Sequence, residues 1–106
     1  PQFCPTYGGP QRQRDLAYHQ GTVWPFPLGA YYLAYLRVHG GSAEARLRVR
    51  RQLRALGPAL REGCVGFLPE IYDGANPTAS RGCFAQAWSV GELLRVLEAL
   101  EHNPEL

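Results

Sequence analysis

The chain has 106 residues, 45% of them hydrophobic, which makes room for one small globular domain and excludes a disordered segment. Eleven arginines and no lysine face nine acidic residues for a net charge of +2, too even a balance for a nucleic-acid binder. No apolar run approaches the roughly 20 residues of a membrane span, and the first residues lack the basic-then-apolar layout of a signal peptide, so no membrane partner and a cytoplasmic location are expected.

Residues 1–24 are rich in turn formers, among them Pro5, Gly8, Gly9, Pro10 and Gly21, and read as one long loop. Pro25 and Pro27 then open a helix, since proline fits the first turn, where its missing N–H would lack a partner anyway. The run 28–38 is almost wholly apolar, with Tyr31, Tyr32, Leu33, Tyr35 and Leu36, and predicts a helix buried on most sides, ended by Gly40-Gly41. Ser42 is a candidate N-cap for a helix running to about residue 62, with Leu47, Val49, Leu53, Leu56 and Leu60 as its apolar stripe. Gly57-Pro58 should kink or split it. Arg46, Arg48, Arg50, Arg51 and Arg54 spread around this helix and read as a solvated surface.

Residues 63–87 are irregular, with turn signals at Asp73-Gly74 and Asn76-Pro77. The last helix should start near Ser89, whose spacing to Glu92 suits a capping box, and run to about residue 101. Leu93, Leu94, Val96, Leu97 and Leu100 are its expected core face, and Asn103-Pro104 its stop. Strand alternation is nearly absent, so the expected class is all-α: about three main helices with long loops, in a single domain over 1–106. The missing initiator Met and the thin core of so short a chain point to a fragment or a cut-down relative, one that dimerises or assembles further to cover its apolar helix.

The three cysteines, Cys4, Cys64 and Cys83, cannot all pair and show no Cys-x-x-Cys spacing, so buried free thiols are expected and no metal site. Polar and aromatic residues gather in two loops instead. One is Tyr18-His19-Gln20-Gly21-Thr22-Val23-Trp24-Pro25. The other is Gly66-Phe67-Leu68-Pro69-Glu70-Ile71-Tyr72-Asp73-Gly74, followed by Arg81-Gly82-Cys83-Phe84-Ala85-Gln86-Ala87-Trp88-Ser89. Aromatic faces stack on pyranose rings and planar polar groups read hydroxyls, so this composition suits a sugar site.

These strings carry a family resemblance. The first resembles the Y-H-x-G-T-V-W-P motif of bacterial and archaeal glycogen debranching enzymes, the second their G-x-x-x-E-I-x-D-G motif, and the third their R-G-C-x-A-Q-A-W-S-V segment. Order and spacing agree from about residue 5 to residue 100. The resemblance implies the C-terminal part of an (α/α)6 toroid, a glycogen or branched α-glucan substrate, and inverting hydrolysis of an α-1,6-linked glucose. It implies no metal or organic cofactor. Inversion needs a carboxylic acid to protonate the leaving oxygen and a carboxylate to deprotonate water, roughly 6.5–9.5 Å apart. Glu70 matches the family glutamate and is assigned as the base. His19, Gln20, Trp24, Arg81 and Gln86 would line the sugar. No carboxylate of this chain matches the acid, which the family carries upstream.

Each of these residues also has a plainer reading. Glu70 could cap a turn, Trp24 could be core, and His19 a hydrogen-bonded structural histidine. Gln86 could hold a neighbouring loop, and Arg81 could either orient Glu70 or stand exposed. Asp73 is expected as a turn residue and Trp88 as core. Beside the glucosidase reading stand two others: a carbohydrate-binding piece without turnover, and a structural remnant that self-associates.

Overall fold

The computed structural model describes residues 2–102; the expected stop at Asn103-Pro104 lies outside them. The described residues form four α-helices: α1 (Gln11–Gln20), α2 (Pro27–Val38), α3 (Ala43–Ala55) and α4 (Ala87–His102). A 3-10 turn at Gly57–Arg61 follows α3, and two-residue strands β1 (Ile71–Tyr72) and β2 (Ser80–Arg81) form a small antiparallel pair. Apart from that pair and one isolated bridge, the described residues are all-α.

Helix α1 corrects the expectation of an unbroken loop over 1–24. Every Gly and Pro of the leader lies outside residues 11–20, which hold only residues a helix accepts. Pro10 stands at the cap, and its carbonyl accepts from the amides of Gln13 and Arg14.

Helix α2 begins at Pro27, as expected of a proline-opened helix, and stops where Gly40 and Gly41 both take left-handed φ, 58° and 60°. The Gly41 amide returns to the Leu36 carbonyl at 2.8 Å. Its sequence is apolar all round, but its burial is one-sided: Tyr32 and Leu36 are buried, while Tyr31 is exposed and Val38 is 81% exposed.

Ser42 caps α3 as expected, its hydroxyl accepting from the Ala45 amide at 3.3 Å. The Gly57-Pro58 break is real and converts the chain to the 3-10 turn. Of the expected stripe, Val49 is fully buried, but Leu47 and Leu60 face outward.

Helix α4 begins at Ala87, two residues before the expected Ser89, which corrects the capping-box reading. Ser89 is fully buried and donates to the Pro69 carbonyl at 2.9 Å. Leu94, 56% exposed, and Leu97 also depart from the expected core face.

The core is one cluster between α2, α3 and α4: Tyr32, Leu36, Ala45, Val49, Val96 and Leu100. Two α3 arginines lock its open end. Arg46 and Arg50 donate to the Leu100 carbonyl at 2.6 and 2.9 Å, and Arg46 also reaches the Ala99 carbonyl at 3.3 Å. They satisfy carbonyls that a helix end leaves unpaired and sit at the negative end of its dipole. The reading of these two arginines as merely solvated is thereby corrected.

The molecule is a slab of 48 × 32 × 19 Å. Its radius of gyration is 15.4 Å, against about 13 Å for a compact chain of this length. Three helices share one thin layered core, and the segments carrying the motif strings lie beside it.

Candidate functional site

Backbone pairing draws the three motif strings together at residues 68–73. Val23 of the first string forms an antiparallel bridge with Tyr72, each amide donating to the other's carbonyl at 2.8 Å. Strand β1 pairs with β2 in the register Ile71↔Arg81 and Tyr72↔Ser80. The pairing continues beyond the strands, through Glu70 N–H to the Cys83 carbonyl at 2.8 Å and Asp73 N–H to the Ala79 carbonyl at 3.0 Å. Gln86 N–H to the Leu68 carbonyl and the buried Ser89 hydroxyl on Pro69 tie the third string to the same segment.

Glu70 is partly buried at this junction. The Tyr18 hydroxyl donates to its Oε1 at 2.5 Å, and the Cys83 amide donates to its Oε2 at 2.9 Å. The bond to Glu70, together with burial, pushes the Tyr18 hydroxyl up to about 12, so it remains a proton donor through neutral pH. Gly82, at φ 67°, lets the chain turn beside the carboxylate; a Cβ there would run into Glu70 Oε2 and crowd Ile71.

Asp73 opens the turn between β1 and β2, as expected, but is only 4% exposed, so its carboxylate is part of the buried structure. It accepts from the Tyr7 amide at 2.8 Å and from Arg81 at 3.1 Å through both Nε and a terminal nitrogen. Burial alone would raise its pKa, but the Tyr7 amide and the Arg81 guanidinium outweigh burial and hold the carboxyl below 3.8. Arg81 therefore serves Asp73 rather than orienting Glu70, and with its side chain 44% exposed it meets the other expectation in part.

Around Tyr18 the rings form an open aromatic shelf. Trp24 stands edge-on to Tyr18 at 4.5 Å and donates its indole N–H to the Tyr18 carbonyl at 3.3 Å. Phe26 and Trp88 stack at 4.4 Å, and His19 meets the Tyr18 ring edge-on at 5.2 Å. Trp88 is 48% exposed, which overturns its reading as core. The expectation of buried thiols is also corrected: Cys83 is exposed, and Cys4 and Cys64 are only partly covered.

Of the expected site residues, Glu70, Trp24 and His19 gather around Tyr18. Gln20 and Gln86 are fastened by their main chains, Gln20 through its carbonyl to the Cys4 amide at 3.4 Å. Tyr18 and Tyr7 were not among the expected residues. Tyr18 opens the first motif string, next to His19, and that position is the signal that marks it. Nothing in the sequence marks Tyr7, whose main chain alone bonds Asp73. Among the described residues no group of three His, Cys, Asp or Glu side chains could hold a metal ion, and no helix is long and apolar enough to cross a membrane.

A family model described as amylo-alpha-1,6-glucosidase matches residues 1–95. Comparison with curated proteins and with solved structures returns no match. The match spans all three strings that meet at Glu70 and nearly the whole of the chain: it belongs to the amylo-alpha-1,6-glucosidase family.

Proposed function

We propose that the chain is the base-bearing part of a glycogen-debranching α-1,6-glucosidase, with Glu70 taking the proton from the attacking water. The observation that carries this reading is the setting of Glu70. Each carboxylate oxygen accepts one hydrogen bond, from Tyr18 or from Cys83, which fixes the plane of the group. A carboxylate oxygen has two lone pairs, so each retains one with which to accept from water. A base held in place before substrate arrives loses little freedom in the reaction.

Attack on an α-linked sugar by water from the opposite face releases β-glucose. That geometry requires an acid carboxyl group roughly 6.5–9.5 Å from the base. Asp73 is spent on Arg81 and the Tyr7 amide, so in this reading the acid comes from another segment or another chain. The flat shape and the outward Leu60, Leu94 and Leu97 agree with a slab seated in a larger helical body, a toroid wall or an assembly of copies. His19 and Trp24 would line the glucan from the ring at Glu70 outward, and Gln20 and Gln86 would hold the loops that present it.

The engagement of Asp73 also favours a second reading, a glucan-binding piece that does not turn over alone. Glucose release from a branched limit dextrin separates the two, once circular dichroism shows the sample helical. Release of β-glucose that disappears in Glu70→Gln supports the enzyme. Binding of dextrin by a folded chain that releases nothing supports the binding piece.

A further inference from the structure

We infer that Trp88, backed by Phe26 and Trp24, is a stacking platform for a second sugar ring of the glucan, beside the ring held at Glu70. This rests on the glucan reading above and adds a subsite to it. Trp88 lies in the first turn of α4 with 48% of its surface open. Its ring is nearly parallel to Phe26, at 4.4 Å and 19°, so one face is supported. Trp24 stands edge-on to Trp88 at 6.2 Å and 74° and to Phe26 at 5.9 Å and 88°. The Trp24 indole N–H is itself anchored on the Tyr18 carbonyl. Three rings therefore hold one another before any ligand arrives, which lowers the ordering cost of binding.

One residue, Tyr18, links the shelf to the carboxylate. Tyr18 lines it with its ring and grips Glu70 Oε1 with its hydroxyl. A chain of sugars with one ring at Glu70 would thus carry its neighbour toward the shelf. The chemistry of the lining selects the occupant. Pyranose rings offer flat C–H faces and polar rims, matched here by aromatic faces together with the His19 imidazole and the Trp88 indole N–H. Neither of those groups is hydrogen-bonded to another described residue. Nucleobases also stack on aromatics, but a nucleotide brings phosphate, and the shelf is lined by Tyr18, His19, Trp24, Phe26, Pro27 and Trp88 with no arginine among them. A neutral, hydroxyl-rich ring fits it best.

The test titrates isomaltose and maltotriose into the full chain and follows tryptophan fluorescence and the broadening of the sugar proton signals. A saturable response is expected, weakened about tenfold in Trp88→Leu, the loss of roughly one aromatic stack, and largely retained in Trp88→Phe. Bound sugar should also shield Trp88 from iodide quenching, a readout that needs no variant to fold. Equal binding by Trp88→Leu, or no shielding of a chain that does bind sugar, would overturn the platform and leave the glucan reading standing. No binding of either sugar by the unaltered, helical chain would overturn both.

Discussion

The Tyr18 hydroxyl meets Glu70 Oε1 at 2.5 Å across 52 positions of sequence, and it does so as a donor that does not ionise near neutrality. Its titration is displaced upward, from 10.0 to about 12, chiefly by the bond to Glu70 and secondly by burial. The folded value lies above the unfolded one, so this contribution to stability is complete below pH 10 and fades as the pH climbs through about 12. Phenolate absorbance should show a late-titrating tyrosine that vanishes in Tyr18→Phe. In Glu70→Gln the same tyrosine should titrate earlier. A late tyrosine indifferent to the change at position 70 would mean that burial, not the carboxylate, sets its value.

Asp73 has the opposite sign. Its folded pKa lies below its unfolded value of 3.8, so the stability it contributes is present above that value and is lost as the pH falls through the folded one. Urea midpoints measured from pH 7 down to pH 2 should therefore drop more steeply for the native chain than for Asp73→Asn. The variant should be weaker at pH 7 by about 1–3 kcal/mol, because the Tyr7 amide and Arg81 lose a charged acceptor. Parallel acid limbs for the two proteins would show that the ion pair contributes nothing to folding.

Gly82 and Gly66 form a controlled pair, both with left-handed φ, 67° and 85°. Alanine at either should cost roughly 1–2 kcal/mol of backbone strain. Only at Gly82 does the new methyl also strike Glu70; at Gly66 it meets open space. Gly82→Ala should therefore lower the Tyr18 titration toward 10 as it displaces the carboxylate, while Gly66→Ala leaves that titration in place. An equal response from both would show that the space beside Glu70 is not what the glycine protects.

Ser89→Ala removes a fully buried hydroxyl and leaves the Pro69 carbonyl without that donor. The expected loss is about 1–3 kcal/mol in chemical denaturation, with helix content before the transition unchanged. A cost below about 0.5 kcal/mol would show that the bond to Pro69 contributes nothing net to folding.

Leu36→Ala tests the core, where the side chain is fully buried among α2, α3 and α4. About 2–5 kcal/mol should be lost. Leu94→Ala, at an exposed site, should stay within about 0.5 kcal/mol in the monomer. A large cost at Leu94 together with a concentration-dependent midpoint would show that another copy covers that face.

What the sequence made legible follows from how each feature is encoded. Helices α2 and α3 could be read because a proline start, a serine cap and a Gly-Gly stop are local signals, and α4 because its apolar residues recur at helical spacing. Helix α1 was hidden because its Gly- and Pro-free decade sits inside a stretch whose average looks irregular. Glu70 was legible through the order of three strings, each weak alone. Its partner Tyr18 stood at the head of the first string, yet no local rule says that a tyrosine will reach a glutamate on another loop. The diversion of Arg81 to Asp73 depends on a two-residue strand register, too short to leave any alternation. Trp88 was misread because hydrophobicity states that a ring prefers cover without saying which partner supplies it.

The anchoring of α4 by Arg46 and Arg50 has a bearing on where this protein can be cut. The family match stops at residue 95, whereas the helix runs on to His102. A truncation placed at the end of the match would delete Val96 and Leu100 from the core and strip two guanidinium groups of their carbonyl acceptors. Sequence similarity fades there while structural necessity does not: the last two turns of α4 are the clasp that holds the three-helix layer shut.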